Sequence, residues 1–226
     1  MLRLAVIADT HSNVTALSAV LEEISRRKLE NVVLAGDLVG YGPDPNEVIE
    51  LISDQGIISI RGNHDRACSS GDFSRMNPFA ATAAEWTRNV LDRENLEMVR
   101  GLRDEMVLEI GGRSIGVYHG SPRDPDEYVS STDTAHDFLT GSDVDLLLAG
   151  HTHVPMVARC GERLFLNPGA VGQPRDGNPD SSFAEIDLDS LDVCIVRVSY
   201  DIPSVQERMK QSALPEFLAR RLTSGR

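Results

Sequence analysis

Val33-Leu34-Ala35-Gly36-Asp37 is a short, partly β-branched apolar run that ends at a carboxylate. A run of this length, bounded by Gly and Asp, is typical of a buried strand rather than a helix. Ligands of open α/β sheets bind beyond the carboxyl ends of the strands, which is where Asp37 would lie. Because many strands end in Gly-Asp as a plain turn, Asp37 taken alone is more simply explained as structural.

Four further apolar runs end in a similar way. Asp9-Thr10-His11 follows the run 4–8, Arg61-Gly62-Asn63-His64-Asp65 follows 57–60, His119-Gly120 follows 115–118, and His151-Thr152-His153 follows 146–150. Asp, Asn and His side chains are ligands of divalent metals of intermediate softness. Turn chemistry does not account for five strand ends of this kind, so the sequence predicts a metal site where the strands meet.

The order of the predicted elements indicates the fold class. Apolar residues at 14, 17, 20, 21 and 24 recur at helical spacing between the first two strands, which predicts a right-handed βαβ unit. Further helices are predicted near 46–55, 78–102, 134–139 and 205–222, and antiparallel hairpins near 106–117 and 183–196. Parallel strands early and hairpins late predict an α/β domain, three-layered or a sandwich, with mixed sheets flanked by helices.

Length and charge narrow the class of protein further. The 226 residues suit a single domain over 1–226. Lys and Arg number 22 against 35 Asp and Glu, and the net charge of −13 disfavours stable binding to nucleic acid or anionic membranes. No apolar run is long enough to span a bilayer, and no basic-then-apolar leader precedes the first strand. Three scattered cysteines predict reduced thiols, and these features together predict a cytoplasmic protein.

The candidate ligands outnumber the needs of one four-coordinate zinc ion. They are Asp9, His11, Asp37, Asn63, His119, His151 and His153. Such a set suits two divalent ions about 3.5–4 Å apart that share a carboxylate and a water molecule, an arrangement that supports in-line displacement at phosphorus. The mixed oxygen and nitrogen donors favour manganese, with iron, zinc or nickel as alternatives, over magnesium or calcium.

The blocks Asp9-x-His11, Gly36-Asp37, Gly62-Asn63-His64-Asp65, His119-Gly120 and Gly150-His151-x-His153 resemble, in order, the five-block signature of the calcineurin-like metallophosphoesterase superfamily. The chain more narrowly resembles the small, single-domain bacterial and archaeal phosphodiesterases of that superfamily. The resemblance implies a metallophosphoesterase-type α/β sandwich with two metal ions. It implies that Asp9, His11, Asp37 and His153 hold the first ion and that Asp37, Asn63, His119 and His151 hold the second, with Asp37 bridging.

The same resemblance implies catalytic roles for His64 and Asp65. His64 would donate to the leaving oxygen or stabilise the phosphoryl charge, and Asp65 would orient His64 by a hydrogen bond. Tyr41, in the breaker-rich loop 40–45, is a candidate substrate contact at the rim of the site. Three arginines are candidate phosphate clamps: Arg61, Arg123 and Arg175. Each of them, taken singly, is more simply explained as a surface residue.

The predicted activity is hydrolysis of a small phosphoester substrate by a metal-activated hydroxide. Some small relatives carry Cys where this chain has His64 and favour phosphodiesters, so His64 leaves phosphomonoesters open as well. A dinucleoside polyphosphate hydrolase and a protein phosphatase remain alternatives, and the acidic charge argues against a nuclease. The superfamily also includes a non-catalytic scaffold whose metal site has decayed, but the complete ligand set here disfavours that role.

Overall fold

Two five-stranded mixed sheets lie at the centre of the computed structural model, which describes residues 2–226. The first sheet has the order β10-β9-β1-β2-β3, with β1 Arg3–Ile7, β2 Asn31–Leu34, β3 Ile58–Ser59, β9 Ser181–Asp187 and β10 Val193–Val198. The second has the order β4-β5-β6-β8-β7, with β4 Glu105–Ile110, β5 Arg113–Tyr118, β6 Leu146–Leu148, β7 Met156–Cys160 and β8 Arg163–Asn167. Strands β1, β2 and β3 run parallel, as do β5, β6 and β8.

Helices cover the outer faces of the sheets. They are α1 Val14–Arg26, α2 Pro45–Asp54, α3 Asn63–Ser70, α4 Pro78–Val90, α5 Arg93–Gly101, α6 Thr132–Thr140, α7 Ile202–Gln211 and α8 Glu216–Leu222. Helix α1 begins where the Asn13 side chain accepts the Ala16 N–H at 3.0 Å, a standard N-cap. Its buried side chains pack with those of α2 against the first sheet, while α6 packs against the second.

The period of two along a strand builds the layered core. On β1, Leu4 and Val6 point between the sheets, whereas Ala5 and Ile7 point toward the helices of the outer layer. Because both faces of β1 are covered, these four side chains are fully buried and the strand is apolar after Arg3. The parallel strands of the two sheets end near one another at the same edge of the sandwich.

The predicted fold class is confirmed, with local differences in the helices. The segment 78–102 forms two helices, because Leu91 and Asp92 are extended and Asn46 Oδ1 accepts the Asp92 N–H at 2.9 Å. The C-terminal segment also forms two helices, since Ala213 has a φ of 54° and Pro215 disfavours helical backbone at the preceding residue. No helix among residues 2–226 combines the length and apolarity that a membrane crossing requires.

Candidate metal centre

The carboxyl ends of β1, β2, β5 and β6 bring six of the predicted ligands into two overlapping groups. Donor atoms within each group lie within 4.8 Å of one another, and every residue in both groups is buried. The first group is Asp9, His11, Asp37 and His153, and the second is Asp37, His119 and His151. Asp37 belongs to both groups.

Asn63 and Asp37 approach the same imidazole in the second group. His119 Nε2 lies 3.0 Å from Asn63 Oδ1 and 3.3 Å from Asp37 Oδ2. In the first group, His11 Nε2 lies 3.5 Å from Asp37 Oδ2, and His153 Nε2 lies 3.4 Å from Asp9 Oδ1. All seven predicted metal ligands are therefore brought together.

The backbone at several of these residues is left-handed. Asp9, His11, Asp37, His151 and His153 have φ values of 55°, 46°, 57°, 68° and 60°. Left-handed backbone is uncommon outside glycine, although Asp and His tolerate it better than most residues. Such conformations cluster at functional sites, where the surrounding structure holds them. The sharp turns after the strands direct these side chains inward instead of continuing the pleat.

Backbone carbonyls set the orientation of three of the imidazoles. A carbonyl can only accept, so the nitrogen that faces it carries a hydrogen, and in a neutral imidazole the other ring nitrogen keeps a free lone pair. The Nδ1–H of His11 donates to Val39 O at 3.1 Å. That of His119 donates to Ala35 O at 2.8 Å, and that of His153 donates to Gln173 O at 2.6 Å. The Nε2 atoms of all three therefore point toward the carboxylates.

His151 is oriented in the opposite sense. Its Nε2–H donates to the carbonyl oxygen of Asp126 at 3.1 Å, which leaves Nδ1 as the free nitrogen. The Tyr128 ring lies beside the same imidazole with a centroid distance of 3.9 Å. The His151 backbone N–H donates to Asp9 Oδ2 at 3.1 Å, so this turn also holds the first group in place.

The donor set fits divalent cations. His11 Nε2 and His153 Nε2 lie 3.1 Å apart although each Nδ1–H is already used, so two lone pairs face one another. Two acceptors at that distance repel unless a positive charge lies beside both of them. His119 Nε2 also faces two oxygen acceptors, an arrangement that requires either a proton or a metal ion on this nitrogen. An imidazole that binds a transition metal through one nitrogen usually donates the N–H of its other nitrogen to a carbonyl or carboxylate, as these histidines do.

The pKa shifts of the buried carboxylates and imidazoles also indicate a site for a cation. Burial raises the pKa of Asp9 to about 8, and the nearby Asp37 charge adds to that increase. Burial also opposes ionisation of Asp37, but the surrounding imidazoles, His119 foremost, outweigh it and hold the pKa well below its usual range. Burial lowers the pKa of His119, yet the Asp37 carboxylate prevails and raises it to about 10. The pocket therefore favours positive charge beside Asp37, carried by a proton on His119 Nε2 until a metal ion displaces it.

Two glycines of the sequence blocks are required by close approaches. A Cβ on Gly62 would lie 2.7 Å from the carboxyl carbon of Asp37, a distance that Cβ atoms do not tolerate. A Cβ on Gly120 would lie 2.7 Å from the carbonyl oxygens of both Asp124 and Pro125. Gly62 thus lets α3 begin against Asp37, and Gly120 lets the loop after His119 fold back on itself.

His64 lies at the start of α3, and its main chain and side chain have different contacts. Its backbone N–H donates to Asp37 Oδ1 at 2.8 Å. The ring packs against His11 and Tyr41, and Nδ1 is enclosed without a hydrogen-bond partner. Burial, aided by the Arg175 charge and opposed by Asp37, lowers the pKa of His64 to about 4. Nε2 is the nitrogen that remains available to a ligand.

The predicted hydrogen bond from Asp65 to His64 is not present. Asp65 Oδ1 accepts the Val39 N–H at 3.0 Å, and Oδ2 accepts the Gly62 N–H at 2.8 Å. Asp65 is the third residue of α3, so its carboxylate satisfies a free N–H at the helix start, as in a capping box. Since Val39 O also accepts the His11 Nδ1–H, Asp65 fixes the loop that orients His11.

Of the three candidate phosphate clamps, Arg175 alone lies at the site. Its backbone N–H donates to His153 O at 3.2 Å, and its guanidinium carbon lies 5.6 Å from the centre of the Tyr41 ring. Arg61 instead pairs with Asp104 through two hydrogen bonds of 2.9 Å. Arg123 pairs with Glu127, four residues along the chain. Both guanidinium groups are engaged by these carboxylates, which favours the simpler interpretation of Arg61 and Arg123 as surface residues.

Tyr41 is a wall of the site and not an exposed rim residue. Its side chain is buried, and its ring lies 4.7 Å from that of His11 and 4.3 Å from that of His64. The loop 40–45 therefore packs behind the imidazoles.

Sequence reasoning missed three supporting residues. Asn167 ends β8 and donates to Thr152 Oγ1 at 3.0 Å and to the Gly150 carbonyl, which fixes the turn between His151 and His153. The signal was available, because Asn167 follows an apolar run as the other blocks do. Asp126 and Tyr128 contact His151 from a loop, and no periodicity or spacing marks them.

A cleft of about 620 Å³ opens beside the second group. Asn63 and His151 are two of its lining residues. Its remaining lining comes from the exposed side of α3, the segment after it and the loop that carries Asp126: Arg66, Ala67, Ser70, Asp72, Arg75, Met76, Asp126 and Tyr128. Helices α4 and α5 contribute none of these lining residues and pack beside α3 instead.

Residues 2–191 match the profile of the calcineurin-like phosphoesterase superfamily domain. The chain belongs to the calcineurin-like phosphoesterase superfamily. This membership confirms the resemblance inferred from the five blocks. The chain thus combines a metallophosphoesterase fold with a cluster of buried His and Asp residues that is able to bind metal.

Relatives within the superfamily cover almost the whole chain. A metallophosphoesterase structure from Sphaerobacter thermophilus is 38% identical and superposes with a TM-score of 0.86 over 100% of this chain and 99% of that one. An uncharacterized protein of Methanocaldococcus jannaschii is 36% identical over 99% of this chain and 98% of its own length. The Escherichia coli phosphodiesterase YfcE is 26% identical over 85% and 91% of the two chains.

Proposed function

We propose that this protein is a dinuclear-metal-dependent phosphoesterase that hydrolyses phosphodiester bonds. The observation that carries the proposal is the sharing of Asp37 between two buried donor groups, because a shared carboxylate is what a two-ion centre requires. The family supports hydrolysis of phosphoesters in general. The phosphodiesterase relative in Escherichia coli supports the diester specifically.

The proposed ligands follow the two groups. Asp9, His11, Asp37 and His153 would hold one ion, and Asp37, Asn63, His119 and His151 would hold the other. The mixture of imidazole and carboxylate donors favours manganese, with iron, zinc or nickel as alternatives. A divalent cation at each position supplies a Lewis acid that activates water and offsets charge at phosphorus.

The remaining side chains bind and orient the substrate. His64 would donate from Nε2 to the leaving oxygen, since Nδ1 is enclosed. Arg175 is distant from His153 in sequence but contacts its backbone in the folded chain. Its guanidinium group would offset charge on the phosphoryl oxygens. The cleft beside Asn63 and His151 would receive one of the two ester groups of a diester. The acidic net charge and scattered cysteines favour a cytoplasmic enzyme that acts on a small phosphoester.

Turnover of two chromogenic esters tests the proposal. Metal-free protein is loaded with Mn²⁺ and assayed with bis-p-nitrophenyl phosphate and with p-nitrophenyl phosphate. We expect turnover that requires metal and favours the diester. Asp37→Ala should abolish turnover and the binding of both ions, because each donor group loses its shared carboxylate. Asp133→Asn, an exposed carboxylate outside every block, is the matched control and should behave as wild type. Absence of turnover with Mn²⁺, Fe²⁺, Zn²⁺ and Ni²⁺ would overturn the proposal.

A further inference from the structure

Asp126 connects the proposed metal centre to α3 through two different groups. Its backbone carbonyl accepts the Nε2–H of His151 at 3.1 Å. Its carboxylate forms ion pairs with Arg66 of α3 and, at 3.4 Å, with Arg75. Helix α3 begins at Asn63, so Asp126 links the two sides of the second donor group.

The segment 121–130, which carries Asp126, contains no helix or strand. Hydrogen bonds within the segment fold it on itself, among them Ser121 N–H to Asp124 O at 3.0 Å. The Arg66–Asp126 ion pair ties it to α3, and the Tyr128 ring rests on His151. The position of the Asp126 carbonyl therefore depends on a contact made by the side chain of the same residue.

We propose that the Arg66–Asp126 ion pair positions His151 by holding the Asp126 carbonyl against its Nε2–H. The carbonyl then keeps the His151 hydrogen on Nε2 and leaves Nδ1 free for a metal ion. The inference rests on the proposed function, because His151 needs this orientation only if it is a ligand. Acceptors on the far nitrogen of a metal-binding imidazole typically contribute about 10- to 100-fold to metal affinity.

Burial distinguishes the two arginines. The side chains of Arg66 and Asp126 are 29% and 28% exposed, whereas that of Arg75 is 88% exposed. Partly desolvated pairs are less screened than exposed ones, many of which contribute nothing measurable. Arg66 is thus the partner that matters. Because Asp126 pairs with both guanidinium groups and Asp104 also lies 3.7 Å from Arg66, these arginines do not by themselves form a free anion site in the cleft.

Calorimetric titration of metal-free protein with Mn²⁺ tests the inference. We expect two binding events in the wild type. In Asp126→Asn, which keeps the backbone carbonyl, and in Arg66→Gln, one event should weaken by about tenfold or more while the other is unchanged. Each substitution also removes one looser ion pair, Arg66 with Asp104 at 3.7 Å or Asp126 with Arg75 at 3.4 Å. If the shared Arg66–Asp126 pair carries the effect, the double variant should be no weaker than the more affected single variant.

Charge alone predicts a different pattern. Loss of a carboxylate near a cation should weaken its binding, whereas loss of an arginine should strengthen it. A positioning role requires both substitutions to weaken the same event. Arg123→Gln removes an ion pair confined to the same segment, and Asp143→Asn removes an exposed carboxylate. Both controls should bind Mn²⁺ as the wild type does.

The outcomes separate the two proposals. Wild-type affinities in Asp126→Asn and Arg66→Gln would overturn the positioning role and leave the dinuclear centre intact. Opposite shifts in these two variants, or weakening in Arg123→Gln, would also overturn it. Fewer than two ions bound by the wild type would instead overturn the dinuclear centre itself.

Discussion

His64 contributes to the site through its main chain and its side chain separately. The backbone N–H holds Asp37 Oδ1 at 2.8 Å, whatever side chain the residue carries. The imidazole contacts other rings and has a free Nε2. A substitution of the side chain therefore removes one contribution and keeps the other.

We predict that His64→Gln binds the same number of metal ions as the wild type and turns over more slowly. General acid–base groups typically contribute about 10²- to 10⁴-fold, so kcat should fall within that range. Elemental analysis of the purified variant gives the metal content, and the chromogenic diester gives kcat. His136→Gln, a histidine outside every block, should match the wild type in both measurements. Loss of metal from His64→Gln would show that the side chain holds an ion.

Between elements, Glu185 of β9 joins the first strand to the end of α1. Its carboxylate pairs with Arg3 of β1 and, at 2.9 Å, with Arg27, which caps α1. Burial alone would raise the pKa of Glu185, but hydrogen bonds from Arg27 and Arg3 outweigh it and hold the pKa below its ordinary value. The folded protein therefore binds a proton at Glu185 less readily than the unfolded chain does.

This difference predicts a pH dependence of stability. A lowered folded-state pKa stabilises the protein above the unfolded value, about 4.3 for Glu, and the stabilisation is lost as the pH falls below it. Glu185→Gln should lower the free energy of unfolding at pH 7 by about 1 kcal/mol, and the deficit should shrink toward pH 3. Urea unfolding at several pH values measures this. Glu22→Gln, an exposed neighbour on α1, is the control, and an equal deficit at pH 7 and pH 3 would contradict the assignment.

For the whole molecule, the proposed centre lies between the two sheets. Asp9, Asp37 and Asn63 follow strands of the first sheet, whereas His119 and His151 follow strands of the second. A metal ion that binds only when the sheets are packed stabilises the entire sandwich against unfolding. Metal binding should therefore raise the melting temperature of the protein as a unit.

Removal of metal should lower Tm measurably. At free Mn²⁺ one hundred times the dissociation constant, one site adds about 2.7 kcal/mol. For a chain of this size that corresponds to roughly 5–10 °C. Scanning calorimetry with and without a chelator measures the shift, which Asp133→Asn should retain and Asp37→Ala should lose. A chelator-insensitive Tm would contradict a centre that spans both sheets.

Local patterns were sufficient for much of this fold. Apolar runs, helical periodicity and the two late hairpins predicted the α/β class, because side-chain period and turn residues are properties of short segments. Local patterns also overextended the helices at 78–102 and 205–222. The first breaks because Asn46, far away in sequence, binds the backbone at Asp92. The second contains Pro215, a local signal whose effect on the preceding residue was missed.

The sequence by itself determined which chemistry the strand ends carry, since Asp, Asn and His in five ordered blocks specify metal-binding donors wherever they meet. Only the tertiary structure decided how those donors are held. Three imidazoles take their tautomer from Val39, Ala35 and Gln173 carbonyls, and His151 takes the opposite one from Asp126. Backbone carbonyls are common to every residue, so no sequence pattern marks the ones that orient a ligand, and only packing brings them within hydrogen-bond distance.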